Sequence, residues 1–177
     1  MLTESGAVEI ESGLVVPDER GAEVQADWDS LGSSETYLGY AQAVGFGSPG
    51  NLVPDTRHDY EFPASLDRNH WSLSGAWTVT SEASTSETPG GRIAFRFVAR
   101  DVNLVMGPRS SPVPFRVKLD GAAPDGAHGD DVRSDGSGAL LDQRMYQLVR
   151  QSRPIVDRVF EIEFLGAGAQ GFCFTFG

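Results

Sequence analysis

A single cysteine is present in the 177 residues, so the chain holds no pair of thiols. Cys173 therefore forms no intrachain disulfide and belongs to no Cys-x-x-Cys motif, the arrangement that dithiol redox chemistry requires. It stands in the apolar segment 172–176, where cysteine usually behaves as a small buried hydrophobe. We predict an inert residue of a strand, with a reactive thiol as the alternative.

Aromatic and planar polar side chains offer a second kind of chemistry, the binding of sugars. Sugars present patches of C–H groups that pack on aromatic faces, and planar polar side chains hydrogen-bond to their hydroxyl groups. The candidate ligand-binding residues are Tyr40, Trp77, Arg96, Arg116, Tyr146 and Gln147, with Trp71 and Asn103 as further candidates. Burial is the alternative, because Trp71 and Trp77 share one face of a predicted strand with apolar neighbours. Tyr146 fits a buried position equally well.

A row of cations is predicted across two neighbouring strands. Arg96, Arg116 and Lys118 project from the polar faces of these strands and would suit an acidic sugar or another carboxylate. The alternative that we favour is pairing with Glu161 and Glu163 on an adjacent strand, since cross-strand ion pairs are common on solvated sheet faces.

Neither a metal site nor a hydrolytic site is indicated. Residues 120–135 are rich in aspartate, as a calcium site would need, but their spacing differs from that of an EF-hand loop and predicts a solvated turn. His58 and His70 have no partner at a metal-ligand spacing, and no serine lies in a nucleophile elbow. Glu161 and Glu163 lie about 6–7 Å apart on a strand, without other signs of a glycosidase. We predict no catalytic residue, no metal, no cofactor and no enzyme.

Short alternating apolar stretches supply the framework for these residues. In residues 92–100 apolar side chains stand at every second position with arginines between them, which is the pattern of a half-buried β-strand. Strands are predicted at 71–79, with Gly75 as a bulge or bend, and at about 92–99, 101–106, 113–119, 138–142, 144–149, 157–165 and 171–176. Residues 44–63 and 81–91 are predicted loops. Residues 140–151 also have nearly helical spacing, but we favour a strand.

Strands this short and closely spaced predict an all-β domain of two antiparallel sheets. Phenylalanine dominates the predicted core between them, which consists of Phe95, Phe97, Phe115, Val117, Phe160, Ile162, Phe164, Phe172, Phe174 and Phe176. Residues 1–34 mix glycine, serine and acidic side chains with little periodicity, so they predict an irregular N-terminal arm or linker. The domain is predicted to span residues 35–177.

The net charge of the chain limits the classes of partner that it is expected to bind. A net charge of −11 repels phosphate backbones and anionic bilayers, and the basic residues form no cluster, so we expect no nucleic-acid partner. No apolar run approaches the roughly 20 residues of a membrane helix, and the first residues lack the features of a signal peptide. We therefore expect no membrane insertion.

Several phrases of the sequence resemble a known family. They are Glu35-Thr-Tyr-Leu-Gly-Tyr40, Asn69-His-Trp-Ser-Leu-Ser-Gly-Ala-Trp77, Phe115-Arg-Val-Lys-Leu-Asp-Gly121, Arg144-Met-Tyr-Gln-Leu-Val149 and Phe174-Thr-Phe-Gly177. Residues 35–177 resemble the C-terminal domain that follows a thioredoxin fold in DipZ-type and related thioredoxin-like proteins. The resemblance implies a jelly-roll β-sandwich similar to carbohydrate-binding modules, attached to a thiol-disulfide oxidoreductase.

In that family the catalytic cysteine pair lies in the thioredoxin part, and no position of this sequence matches it. The resemblance implies that residues 1–34 are the end of an upstream thioredoxin-like domain and its connection, and it suggests an extracytoplasmic location. The expected function is a non-catalytic binding module whose partner is the upstream domain, a redox partner protein or a carbohydrate. The alternative is a purely structural or self-association domain that packs on the thioredoxin fold without a ligand.

Overall fold

The computed structural model describes residues 24–177. It confirms the all-β prediction, because the helical structure within these residues is limited to one short 3-10 turn, Asp125–Ala127. The predicted arm lies outside the described residues as far as residue 23. Residues 24–34 follow the domain surface, where Gly32 N donates to Val98 O at 2.7 Å and Arg153 pairs with Asp27 at 2.8 Å. The boundary at residue 35 stays a prediction.

Eleven strands make up the described fold. They are β1 (Thr36–Tyr37), β2 (His58–Tyr60), β3 (Trp71–Val79), β4 (Ser84–Ser86), β5 (Gly91–Phe97), β6 (Asp101–Pro108), β7 (Val113–Leu119), β8 (Ser137–Leu140), β9 (Arg144–Arg150), β10 (Arg158–Phe164) and β11 (Ala169–Phe176). The strand prediction for residues 144–149 is confirmed by β9. The prediction of loops at 44–63 and 81–91 is wrong where β2 and β4 form. Both strands are only three residues long and lack an alternating apolar pattern, so no periodic signal predicts them.

The strands form one curled antiparallel sheet in the order β8-β7-β10-β5-β3-β4-β11-β6-β9, with β1 beside β11 and β2 beside β3. Strand β3 changes partner halfway along its length. Residues 71–74 pair with β5, whereas residues 75–79 pair with β2 and β4. Gly75 stands at the change with φ of +95°, a conformation that favours glycine. The predicted bend at this glycine is therefore confirmed.

Aromatic rings fill the space between the two parts of the sheet. We call the strands β8, β7, β10, β5 and the first half of β3 the β5 half, and the remaining strands the β11 half. Phe95 and Phe160 of the β5 half contact Phe174 of the β11 half, with ring centroids 5.2 and 5.7 Å apart. Trp77 similarly contacts Phe164 at 6.1 Å. The predicted core is confirmed except at Phe172 and Phe176, which are partly exposed, although Phe176 still packs against the core. The jelly-roll connectivity stays a prediction.

The outer face of the β5 half carries the polar side chains. In β5 the core side contains Ile93, Phe95 and Phe97, so Arg92, Ala94 and Arg96 point outward. Strand register aligns them with neighbours in rows across the sheet: Ala94 lies between Ser72 of β3 and Glu161 of β10, and Glu161 lies opposite Lys118 of β7. This face positions the candidate site.

Candidate functional site

Both tryptophans of β3 belong to the core. Trp71 and Trp77 are fully buried. The indole nitrogen of Trp71 donates to Val44 O at 3.1 Å, and that of Trp77 donates to Ser74 O at 2.9 Å. With their polar atoms satisfied and no ring face at the surface, neither side chain offers a platform to a sugar in this conformation.

Tyr146 and Gln147 are also buried, and they attach two loops to β9. The hydroxyl of Tyr146 donates to Asp142 O at 2.6 Å, and Gln147 Oε1 accepts from Asp130 N at 2.9 Å. The guanidinium of Arg144 covers the Tyr146 ring at 3.8 Å from its centroid. These contacts give both residues a structural role. Of the predicted ligand-binding residues, the surface thus retains Tyr40, Arg96 and Arg116.

Asn103 lies next to Gln147 in the register of β6 and β9, and opposite Thr175 of β11. Its side-chain oxygen is buried without a hydrogen-bond partner. Asn103 does not line the cavity beneath residues 62–66 or the cavity beside β1, both described below.

Arg96 is held by a carboxylate on the strand's outer side. Its Nε and Nη2 atoms donate to the two oxygens of Asp157 at 3.1 and 3.0 Å, and Arg68 adds two more bonds to the same carboxylate at 3.2 and 3.0 Å. The hydrogen bonds from Arg96 are the main cause that lowers the pKa of Asp157 below its ordinary value. The remaining Nη1 of Arg96 donates to Leu66 O at 3.1 Å.

The predicted row of cations is paired differently from the expectation. Arg116 and Lys118 do lie opposite Glu163 and Glu161 in register. However, the carboxylate of Glu161 pairs with Arg92, at 3.0 Å from its Nη1 atom. Arg116 and Lys118 form no ion pair with the residues that the structure describes. Glu161 pairs with Arg92 diagonally across the two strands, because a long arginine side chain contacts neighbours beyond the residue directly opposite.

A cavity of about 330 Å³ lies on this outer face beneath residues 62–66. We call it the loop-covered pocket; its floor and sides are Ser72, Ala94, Arg96, Val159 and Glu161. Arg96 holds one end of the loop at Leu66, and the guanidinium of Arg92 lies over the Phe62 ring at the other end, 4.7 Å from its centroid. Between the two arginines the methyl group of Ala94 is too short to fill the space.

Ser72 carries an unused polar atom at the floor of this pocket. The residue is fully buried, and its hydroxyl oxygen forms no hydrogen bond. Leaving a buried hydroxyl without a partner costs about 1–3 kcal/mol, so such atoms are rare in folded proteins and call for an explanation, such as a bound water or ion. The sequence reasoning found Arg96 here but missed Ser72 and Ala94. The available signal was the small residue between two arginines in residues 92–96.

A second cavity, of about 400 Å³, lies beside β1. We call it the tyrosine groove; it is lined by Tyr37, Gly39, Ala41, Gln42, Ser81, Glu82, Phe172 and Cys173. Tyr40 stands next to it with 36% of its surface exposed, and its hydroxyl donates to Asp55 Oδ2 at 2.9 Å. That hydrogen bond is the main cause of a raised pKa at Tyr40. Tyr40 and Arg96 therefore belong to different sites.

Cys173 borders the tyrosine groove as a protonated thiol. Only 7% of its surface is exposed, and its Sγ donates to Glu35 Oε1 at 3.4 Å. Burial, followed by the interactions with Glu35, raises its pKa to about 12. Because the thiolate is the nucleophile, this environment opposes thiol chemistry.

Three of the five aspartates of residues 120–135 bond to the protein itself. Asp131 pairs with Arg144 at 2.8 Å, Asp120 pairs with Arg158 at 2.9 Å, and Asp135 accepts from the hydroxyl of Ser137 at 2.6 Å. Within residues 24–177 no three His, Cys, Asp or Glu side chains are grouped closely enough to hold a metal ion.

Among the same residues, no helix has both the length and the apolar character needed to cross a membrane.

Comparison with known proteins adds to this picture. Protein DipZ of Mycobacterium bovis and Protein DipZ of Mycobacterium tuberculosis are each 30% identical to the chain over 73 residues, which is 41% of the chain and 10% of the relative. The aligned segment thus covers about a tenth of the length of these relatives. The sequence pattern of the family described as the thioredoxin-like C-terminal domain matches residues 33–177, almost the whole described region. The chain therefore belongs to the family of thioredoxin-like C-terminal domains and is an accessory domain of a thioredoxin-like protein.

Proposed function

We propose that this accessory domain is a non-catalytic binding module that holds a glycan or a partner protein and so positions a thiol-disulfide oxidoreductase. The observation that carries the proposal is a contrast: the single thiol is unreactive, whereas the surface contains cavities that can hold a ligand. Cys173 is shielded and protonated, with a pKa of about 12, whereas the loop-covered pocket and the tyrosine groove are among the cavities that open on the described surface. A module that binds needs such cavities but no reactive group.

The proposed function predicts ligand binding without catalytic turnover, so the same chain is tested for both. The 177-residue chain is assayed for reduction of insulin disulfides with dithiothreitol as the electron source, and a thioredoxin serves as the positive control. In parallel, the chain is titrated with a panel of neutral and acidic saccharides and with the purified thioredoxin-like domain of a DipZ protein, and binding is followed by calorimetry. We expect binding to one of these without turnover. Turnover by the chain, or no binding to any of them, contradicts the proposal.

The second candidate function is a structural domain that packs on the thioredoxin fold without a ligand. The tyrosine groove favours it, because exposed rings are enriched where proteins meet. Tyr37 and Tyr40 are 38% and 36% exposed, and nearby Val44 is 78% exposed. If this second function is correct, Tyr37→Ser should weaken the association of the chain with the thioredoxin-like domain, as measured by light scattering. Leu165→Ser, at a 42% exposed residue outside the groove, is the matched control and should not.

A further inference from the structure

We propose that the loop-covered pocket binds one neutral sugar ring or a polyol of similar size. The inference rests on the proposed function, namely that this domain binds a ligand, and it names the site and the chemical class. The apolar wall of the pocket supports this ligand class. Phe62, Leu66 and Val159 present apolar surface above and beside the cavity, and Ala94 forms an apolar patch of its floor. One face of a sugar ring is a patch of C–H groups that suits such a wall.

The polar atoms of the pocket suit hydroxyl groups. Ser72 can donate one hydrogen bond and accept others, and its hydroxyl has no partner. Glu161 uses one carboxylate oxygen on Arg92, which leaves acceptor capacity on the other. Arg96 spends three of its five N–H groups on Asp157 and Leu66, which leaves two donors. A hydroxyl group both donates and accepts, so it can bond to all three side chains.

Charge and size favour a neutral ligand of one ring. Arg96 shares the carboxylate of Asp157 with Arg68, and Glu161 pairs with Arg92, so both charged groups of the pocket already have an ionic partner. An acidic sugar would therefore gain little from Arg96 and would meet Glu161. The volume of about 330 Å³ lies near the lower end of the range for ligand pockets, roughly 300–1,000 Å³. One pyranose ring fits that space better than a long oligosaccharide.

The covering loop must lift slightly for a ligand hydroxyl to reach Ser72, because that oxygen is shielded from solvent. Residues 62–66 form no backbone–backbone hydrogen bond with any described residue. Arg96 and Arg92 hold the loop at Leu66 and Phe62, through one hydrogen bond and one ring contact. Movement of such a segment breaks few interactions, so the loop can open and close over a ligand.

The test is a titration of the isotope-labelled 177-residue chain with methyl β-D-glucopyranoside, methyl α-D-mannopyranoside and glycerol, followed by amide chemical shifts. We expect shifts centred on Leu66, Ser72 and Ala94. Ser72→Ala should weaken binding about 5- to 10-fold, which is the effect of one lost hydrogen bond. Ala94→Leu, which fills the floor from an outward-facing position, should abolish it. Glu163→Gln lies on the same face outside the pocket and is the matched control, with unchanged affinity.

Each other outcome overturns the inference. If cyclohexanol shifts the same amides as strongly as the glycosides, the pocket selects apolar rings and the ligand class is wrong. If the glycosides bind but Ala94→Leu binds them equally well, the site is wrong while the proposed binding function stands. If none of the three ligands shifts the pocket amides, the inference fails. The separate calorimetric titration with the thioredoxin-like domain then decides whether the proposed function fails as well. The spectrum of each variant reports whether it is folded.

Discussion

Cys173 and Glu35 form a hydrogen bond in which the thiol donates to the carboxylate, with 3.4 Å between Sγ and Oε1. The two residues lie 138 positions apart in the sequence and meet because β1 pairs with β11. A carboxylate beside a buried thiol favours the protonated form, both as a hydrogen-bond acceptor and as a like charge to the thiolate. The one cysteine of the chain is thus kept as a neutral thiol.

The first prediction concerns this thiol. Because its pKa is raised to about 12, Cys173 should react very slowly with iodoacetamide at pH 8 in the folded chain and rapidly after unfolding in urea. Glu35→Gln removes the carboxylate charge, so the pKa should fall and labelling should accelerate, about tenfold for each unit recovered. Glu82→Gln alters a groove residue that does not bond to the thiol and serves as the control. Equal labelling rates in the folded and unfolded chain would refute the assignment.

The second prediction uses the three tryptophans as reporters. Trp28 is 68% exposed, whereas Trp71 and Trp77 are fully buried. Iodide should therefore quench one component of the fluorescence, with emission at long wavelength, and leave a blue-shifted component almost unchanged. Trp28→Phe should remove the quenchable component. Trp77→Phe, as the comparison, should diminish the blue-shifted component and lower the stability, because it creates a cavity in the core. Quenching of all three residues to the same extent would contradict the buried positions.

The third prediction concerns the bend in β3. Gly75 has φ of +95°, and an added Cβ would lie 3.3 Å from the Cα of Gly91. Gly75→Ala should therefore destabilise the fold, since a side chain in this region costs about 1–2 kcal/mol, or about 2–8 °C in Tm for a chain of this size. Gly126→Ala is the control, because Gly126 has ordinary φ and nothing within 4 Å of an added Cβ. An unchanged Tm for Gly75→Ala would show that the strand passes this point without the strained conformation.

The sequence was sufficient to predict the elements that alternate strongly. In β5 the alternating residues Ile93, Phe95 and Phe97 face the core. Arg92 and Arg96 stand at the positions between, so their side chains point to the other face. The short strands β2 and β4 were missed because serine, threonine and histidine carry no such pattern. Their positions depend on the partners that β3 and β11 supply, and the β11 partner of β4 is distant in the sequence.

The candidate site was predictable only in part, for a similar reason. Arg96 was found because an outward-facing cation stands out in an alternating strand. Ser72 and Ala94 are small residues whose importance comes from what covers them, and the covering loop at 62–66 shows no periodicity. Trp77 shows the converse: a tryptophan suits a sugar platform by type, but Trp77 shares the buried face of β3 with Leu73 and Val79, so its ring lies inside the core.

The last prediction concerns acid stability at the edge of the loop-covered pocket. Hydrogen bonds from Arg96 and then from Arg68 hold the pKa of Asp157 below its ordinary value of 3.8. The folded protein therefore binds this proton less readily than the unfolded chain, so ionised Asp157 stabilises the fold above about pH 4. That contribution is lost as the pH falls through the lowered pKa. Asp157→Asn should lower Tm at pH 7 by a few degrees, on the order of 2 °C for a partly exposed ion pair.

The dependence on pH distinguishes this electrostatic effect from a simple loss of packing. Because protonation removes the same charge in the natural protein, the difference in Tm between the natural protein and Asp157→Asn should shrink below about pH 3.8. Asp59→Asn, on the exposed side of β2 and outside the described ion pairs, should change Tm little at any pH. A difference for Asp157→Asn that stays constant from pH 7 to pH 3 would mean that the carboxylate charge does not hold Arg96 in place. Leu66, bonded to Arg96, would then depend on other contacts to stay over the pocket.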